Sequence, residues 1–311
     1  MGSTDGTPAD IASEIEVDAF RRLFPLRFYE RHLSESVRPD ARPLNRARDT
    51  SVALGAVSSA DGSALVKIGH TTMLAAIKVE VMTPSLDSPD EGCLGIEFNM
   101  PPICSPSVRP GQTVEVAPVI SKQLSDSILR HVCFSPLFSG MINLKELSLI
   151  SGKAAWMLYL DVYCLDADGA LFDAALLAAV AALSHLRIPV VSVNDDGRVV
   201  AMAGEHVEGK SVREPINREK RKLTFSCIPF SLTCILHQKY ILADPTAEEE
   251  LIMETLVTVV LDLSGRLVSL CKLGGNLVYN STIQDCVALT RHRVKELHQI
   301  LNEAVSDMEV D

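Results

Sequence analysis

No CxxC pair occurs in this chain of 311 residues; its eight cysteines stand singly at positions 93, 104, 133, 164, 227, 234, 271 and 286. That scatter excludes the dense disulfide framework of small secreted domains and points to reduced thiols in the cytosol or nucleus, most of them small core hydrophobes. The histidines form neither an HxxxH nor an HExxH pattern, so the sequence proposes no zinc site. An excess of positive charge is missing as well. The net charge is −11, which argues against a protein that holds RNA or DNA alone, because such binding rests on clustered Lys and Arg neutralising phosphates. The first twenty residues lack a basic stretch followed by an unbroken apolar one, so no secretory signal is expected, and Gly6 breaks the myristoylation pattern at Gly2. The longest apolar run, Ala174 to Leu183, is far short of the roughly 20 residues a membrane helix needs, so no membrane partner is expected.

What is present suits a large packed core: 47% of the residues are apolar. Apolar positions from Glu14 to about Arg31 recur at helical spacing, with a bend at Pro25. A basic, proline-containing loop follows, Arg38 to Arg48. The runs Thr50 to Val57, Ser63 to Ile68 and Thr71 to Val81 predict an antiparallel meander. Pro84 to Pro110 is an irregular stretch around a short strand, Gly95 to Met100. A helix is predicted from Val119 to Val132, and a central strand from Trp156 to Leu165. A nearly all-apolar helix, Phe172 to His185, must be buried around most of its circumference, and with Ile188 to Val193 it completes a βαβ-like unit. His185 is expected to serve the dipole at that helix's C-terminus.

The second half repeats the order of strands then helix. Short strands are predicted at Leu223 to Ile228, Leu232 to His237, Tyr240 to Ala243, Leu251 to Leu261 and Leu267 to Lys272, with a turn at Gly274-Gly275. A closing helix runs from about Thr282 to Val305. Two strand-then-helix halves imply an α+β domain with internal pseudo-twofold organisation, an α/β sandwich. The boundaries read from the sequence are a flexible N-terminus over 1–17, one domain over 18–305 with halves at about 18–193 and 194–305, and an acidic tail over 306–311.

Four acids in seven residues, Asp244-Pro245-Thr246-Ala247-Glu248-Glu249-Glu250, follow a β run. They suit either hard-cation binding or general-acid chemistry, or the structural role of a helix capping box formed by Thr246 and Glu249. The turn Asp166 to Gly169 enters a helix, a place where backbone N–H groups can bind phosphate. Ala170, Leu171 and Phe172 offer neither hydroxyl nor guanidinium there, and Asp173 adds a negative charge, so a structural helix start is the better account. Lys122, Arg130 and the mixed run Arg213 to Lys222 are candidate RNA or partner contacts, or ordinary solvated surface.

Seven segments in order, RPDARPL (38–44), DGSALVKIGHTT (61–72), PSLDSPD (84–90), PPICS (101–105), LDADGALFDAALLAAVAAL (165–183), DPTAEEE (244–250) and IQDC (283–286), resemble the RNase PH-type ring subunits of the eukaryotic RNA exosome. The resemblance implies an RNase PH-like fold of two βαβα-like halves, as in ribosomal protein S5 domain 2. It implies five other RNase PH-like subunits as ring partners, cap proteins with S1 or KH domains, RNA passing through the assembled channel, and no cofactor or metal. The expected place is the nucleus, including the nucleolus, and the cytoplasm. Carried over by position, the family's catalytic acids fall on Asp244 and Glu250. Its phosphate-binding Gly-Ser/Thr-Arg falls on Ala170, Leu171 and Phe172, a loss that predicts no phosphorolysis. The expectation is a non-catalytic structural subunit supporting 3′-to-5′ RNA processing and degradation, in rRNA maturation and mRNA turnover. The alternative is an active phosphate-dependent 3′-to-5′ exoribonuclease that uses Asp244 and Glu250.

Overall fold

The computed structural model describes residues 8–106, 108, 115–129, 140–189, 191–193, 199–201, 221–253 and 255–310. The chain opens with helix α1, Pro8–Leu23, and helix α2, Pro25–Ser34. Pro25 sits at the first turn of α2, where a missing N–H costs nothing and the fixed φ favours a new helix, so the predicted bend is a break between two helices. Strands β1 (Thr50–Leu54), β2 (Gly62–Ile68) and β3 (Thr71–Met82) form the expected antiparallel meander. Thr71, Met73, Ala75, Ile77 and Val79 of β3 face inward while the residues between them are half-buried or exposed, the alternation of a sheet covered on one face.

Strand β4 (Cys93–Asn99), the short β5 (Ser148–Ile150) and β6 (Ala154–Asp166) complete the first sheet. Its order is β1-β2-β3-β6-β4, with β5 beside β6, and β4 runs parallel to β6. Helix α3, Val116–Leu129, lies along β4, where the Ser121 hydroxyl accepts from the Phe98 N–H at 2.8 Å. Helix α4, Leu171–His185, packs on β2 and β3. Its residues from Phe172 to Leu183 are all buried, as the apolar run requires. Strand β7 (Val191–Val193) departs from the expected βαβ unit: it pairs with β8 (Val199–Ala201) in a separate two-stranded ladder.

The second sheet has the order β10-β9-β11-β12, built from β9 (Pro229–His237), β10 (Tyr240–Ala243), β11 (Leu256–Asp262) and β12 (Leu267–Leu273). Between β10 and β11 lies the short helix α5, Ala247–Ile252. Two predicted strand boundaries are therefore corrected. Leu223 to Ile228 holds only a bridge from Phe225 to Ile142, and Leu251 and Ile252 end a helix rather than start a strand. The capping box is the reason for the second: Thr246 and Glu249 bond reciprocally and nucleate a helical turn. Helix α6, Asn280–Val310, packs on β1, β9 and β11 through Cys286, Val294, Leu297 and Leu301. Helical backbone thus reaches into both stretches that the sequence reading set apart as ends, from Pro8 and up to Val310. Helix α4 also touches β9, so one apolar helix serves both sheets, and a continuous core spans them. Phe28, Tyr29 and Leu33 of α2 close a second, smaller core with Ile235, Leu242 and Met253.

Gly275 shows why the turn after β12 needs glycine. Its φ is +71°, and a Cβ would stand 2.1 Å from Thr255 Oγ1, the same oxygen that accepts from the Asn276 N–H at 3.0 Å.

Candidate functional site

Two turns from opposite halves of the sequence meet at one buried point. The first, Asp168-Gly169-Ala170, joins β6 to α4; the second, Asp244-Pro245-Thr246, joins β10 to α5. Gly169 and Ala170 both adopt positive φ, +73° and +47°, and Asp244 does so at +50°. Left-handed conformations cost alanine and aspartate free energy and persist only where surrounding contacts fix them. Here the contacts are tight: a Cβ on Gly169 would lie 2.5 Å from the Pro245 carbonyl oxygen.

Arginines of the 38–48 loop tie these turns together. Arg48 donates to the Asp244 carboxylate through its backbone N–H at 2.7 Å, its Nε at 2.9 Å and its Nη2 at 2.7 Å. Its Nη1 donates to Asp168, both to the carbonyl and to the carboxylate. Arg38, only 1% exposed, forks onto the Glu249 carboxylate and donates to the Ala243 and Asp244 carbonyl oxygens. Arg42 adds an ion pair to Asp244 at 3.5 Å. Charge-assisted, bidentate pairs of this kind are the strong ones, and burial removes the screening that weakens surface pairs. Burial by itself would raise the Asp244 carboxyl, but the bonds and charge of Arg48 outweigh it and hold the group below the usual carboxylate range.

Two acids at the same place have no such guanidinium partner among the described residues. Glu250 Oε1 accepts from the Ala170 N–H at 2.8 Å. Desolvation, opposed by that bond and helped by the charges of Asp173 and Asp244, pushes its carboxyl up to about 7. Asp173 is buried; its Oδ2 accepts from the Thr233 N–H at 2.6 Å. Desolvation pushes it up to about 6, against the hydrogen bond from the Thr233 N–H. Within a few residues, then, the site holds a pinned anion, Asp244, and two carboxyls that ionise reluctantly.

Residues 46–189 match the model of the 3′ exoribonuclease family (RNase PH), domain 1, and residues 227–293 match that of its domain 2. Exosome complex component Rrp42 of Methanopyrus kandleri is 31% identical, over 84% of this chain and 90% of that relative. The chain belongs to the 3′ exoribonuclease family. Exosome complex component rrp43 of Schizosaccharomyces pombe is 29% identical, over 88% of this chain and 94% of its own length. Among solved structures, a chain of the Archaeoglobus fulgidus exosome with RNA bound to the active site superposes with a TM-score of 0.73 at 24% identity, over 92% of this chain and 98% of that one. At that identity the likeness concerns the RNase PH fold.

Against the sequence expectations, the structure brings Asp244, Glu250 and Ala170 into one cluster. Leu171 and Phe172 join the main core, Phe172 buried within it and Leu171 half-buried against it. The helix start carries no side-chain cap of its own; the carboxylate bonded to Ala170 comes from Glu250 instead. Lys122 is exposed on α3, in a groove along β4 that Glu97 and Asp126 also line. Arg130 and positions 213–220 of the basic run lie outside the described residues. His185 is corrected. Its Nδ1 accepts from the Ser63 N–H at 3.0 Å, and desolvation with the nearby Arg187 charge lowers its pKa, so it is a neutral acceptor rather than a charged dipole partner. Sequence reasoning missed Arg38, Arg42 and Arg48 as site residues. The signal was there as a basic loop between prolines, but nothing local shows that its arginines turn inward.

Proposed function

We propose that this chain is a non-catalytic subunit of an RNA exosome core ring, of the ribosomal RNA processing protein 43 type. In that role it assembles with five other RNase PH-type subunits and with S1/KH cap proteins around a channel through which RNA passes for 3′-to-5′ processing and degradation. The family membership and the relatives named as exosome complex components support the assembly. The observation that carries the lack of catalysis is the bond from the Ala170 N–H to Glu250. In a phosphorolytic relative the donors of this turn are expected to grip phosphate. Here the chain's own carboxylate takes the N–H, and the positions of the family's hydroxyl and guanidinium hold Leu171 and Phe172. Asp244 is equally committed, its oxygens held by Arg48. A phosphate entering this site would meet the pinned anion Asp244 and a Glu250 carboxyl already occupying the Ala170 N–H, with the nearest guanidinium already spent, an unfavourable environment for a dianion.

Lys122 and Arg130 are proposed as RNA contacts shared with the rest of the ring, since an acidic chain cannot supply the whole footprint. The working place is the nucleus, including the nucleolus, and the cytoplasm. A second reading, an active phosphate-dependent exoribonuclease, draws on Glu250, because a carboxyl near 7 is poised for general-acid work. The test uses the chain tagged in its own cells, with native mass spectrometry and a phosphate-dependent RNA degradation assay on the same preparation. A heteromeric ring whose phosphate-dependent release of nucleoside diphosphates is absent, or unchanged by Glu250→Gln, is the expected result. Release that Glu250→Gln abolishes while the ring stays intact would establish the second reading.

A further inference from the structure

From Cys286 to Lys295 helix α6 carries Arg291, His292, Arg293 and Lys295 and no acid, in a chain whose 40 acids outnumber its 29 Lys and Arg. Arg293 is spent inside the fold: it is buried and donates to the Thr50 hydroxyl, the Arg48 carbonyl and Glu296. The other two cations face outward. Arg291 and Lys295 stand one helical turn apart on a stripe that Ala288 and Gln299 continue, and all four residues are exposed. Neither cation meets a carboxylate among the described residues. Like charges at this spacing oppose the helix, a cost that a bound polyanion would remove.

The patch extends to both flanks of α6. On one, the Arg291 side chain lies over the turn between β11 and β12, its Nε 3.7 Å from where a Cβ on Gly265 would stand. On the other, α6 and the 43–47 loop border a groove of about 880 Å³, whose lining includes Arg46 of the loop, His292 and Leu289 of the helix, and Leu232 and Ile241 of the second sheet. Arg46 adds to the positive charge. Its contact with Asp49 is 3.7 Å long, between side chains that are 69% and 99% exposed, and such a pair contributes little. Of the two acids on this groove, Glu296 is already met by Arg293 and His292, and Asp285 stands more than one turn before Arg291.

Free, exposed cations without an apolar centre suit nucleic acid better than protein. Among the described residues no large apolar side chain of α6 is exposed, whereas the centre of a protein interface is apolar and aromatic. A single-stranded RNA finds here cations one helical turn apart for its phosphates and, beside them, a groove with an apolar lining and an imidazole where a base can lie. We propose that the outward face of α6, through Arg291 and Lys295 with Arg46 across the groove, holds the backbone of a single-stranded RNA. This contact makes no use of the Asp244 and Glu250 cluster. It rests on the proposed function for the supply of RNA, and it gives an acidic chain a local phosphate footprint.

The test compares two double variants in the purified assembly. One is Arg291→Gln with Lys295→Gln; the other is Lys145→Gln with Lys153→Gln, which removes the same charge at exposed positions elsewhere. All four side chains are exposed, so each variant is expected to keep its Tm. Binding of a single-stranded oligoadenylate is then measured over a series of KCl concentrations. The α6 variant is expected to bind roughly twentyfold more weakly than the control at about 0.1 M salt, and its slope of log K against log salt to be shallower by about 1.4, the share of two phosphate contacts on a single strand. Equal affinities and equal slopes for the two variants would overturn the inference. Ultraviolet crosslinking of the unaltered assembly, with mass spectrometry of the joined peptides, provides an independent readout. RNA attached within positions 285–299 supports the proposal; RNA attached to this chain only elsewhere, or a protein found covering that stretch, overturns it. If the tagged chain purifies with no RNase PH-type subunit, the proposed function fails by itself, and the same two measurements on the lone full-length chain still decide the patch.

Discussion

Replacing Arg48 by methionine keeps most of the aliphatic volume and removes the guanidinium that joins Asp244 to Asp168. In the intact protein the Arg48 and Asp244 side chains are 7% and 3% exposed, so the carboxylate left behind has little water to turn to. It also keeps two acidic neighbours, Glu250 and Asp173, whose charges already act on one another. Breaking a buried pair by removing one partner costs about 3–5 kcal/mol. The count of bonds agrees: two charge-assisted side-chain bonds to Asp244 at about 1.5–3 kcal/mol each give the same range. In a chain of this size that is a fall in Tm of roughly 5–8 °C, and a large share of the roughly 5–15 kcal/mol that keeps a domain folded. Thermal and urea unfolding of Arg48→Met, Asp244→Asn and the double variant would measure it; asparagine is chosen because it tolerates the left-handed backbone at 244. The double variant should cost less than the sum of the single ones by about 2 kcal/mol or more. A loss below about 1 kcal/mol for Arg48→Met, or strict additivity, would refute the assignment of this pair as the pin between the two halves.

Glu250 makes stability depend on pH in an unusual direction. Its folded carboxyl ionises near 7, above its unfolded value, so the folded state holds the extra proton and stability falls as pH rises from about 4.5 through 7. Between pH 6 and 8 the intact chain should lose about 1 kcal/mol more than Glu250→Gln; parallel denaturation curves at the two pH values check this, and equal slopes would contradict it. Gly169→Ala should be more damaging than an ordinary glycine replacement, by roughly 2–4 kcal/mol, since both the positive φ and the close approach to Pro245 oppose a methyl group. Its expression level and Tm against Gly152→Ala, where a Cβ meets nothing within 4 Å, separate the contact from the backbone strain common to both.

The parts of this fold that a reader of the sequence can find are those whose cause is local. The unbroken apolar run of α4 leaves no solvent face to assign, and burial follows. The β1–β3 meander shows in its alternation, and the capping box shows in the spacing of Thr246 and Glu249. Strand β7 misleads because a strand after a buried helix says nothing of which ladder it joins. The three arginines mislead for a stronger reason. A basic loop rich in proline is normally solvated, and burying its guanidinium groups is tolerable only because carboxylates from about two hundred positions later arrive to meet them. The same holds for Glu250: its spacing from Asp244 is visible, but its bond to Ala170 exists only once the two turns touch.

Helix α4 makes a final point about cooperativity. It contributes to both sheets, and Ala174, Ala175, Ala178, Ala179, Ala181 and Ala182 are all fully buried. Neither half of the chain can desolvate that helix by itself, so although the two family domains are separate matches in the sequence, they melt as one unit. A chain severed between positions 201 and 221 would give an N-terminal piece with a bare apolar helix face and a C-terminal piece whose sheet keeps α6 but has lost the part of its cover that α4 supplies, and the fragments would regain full structure only together.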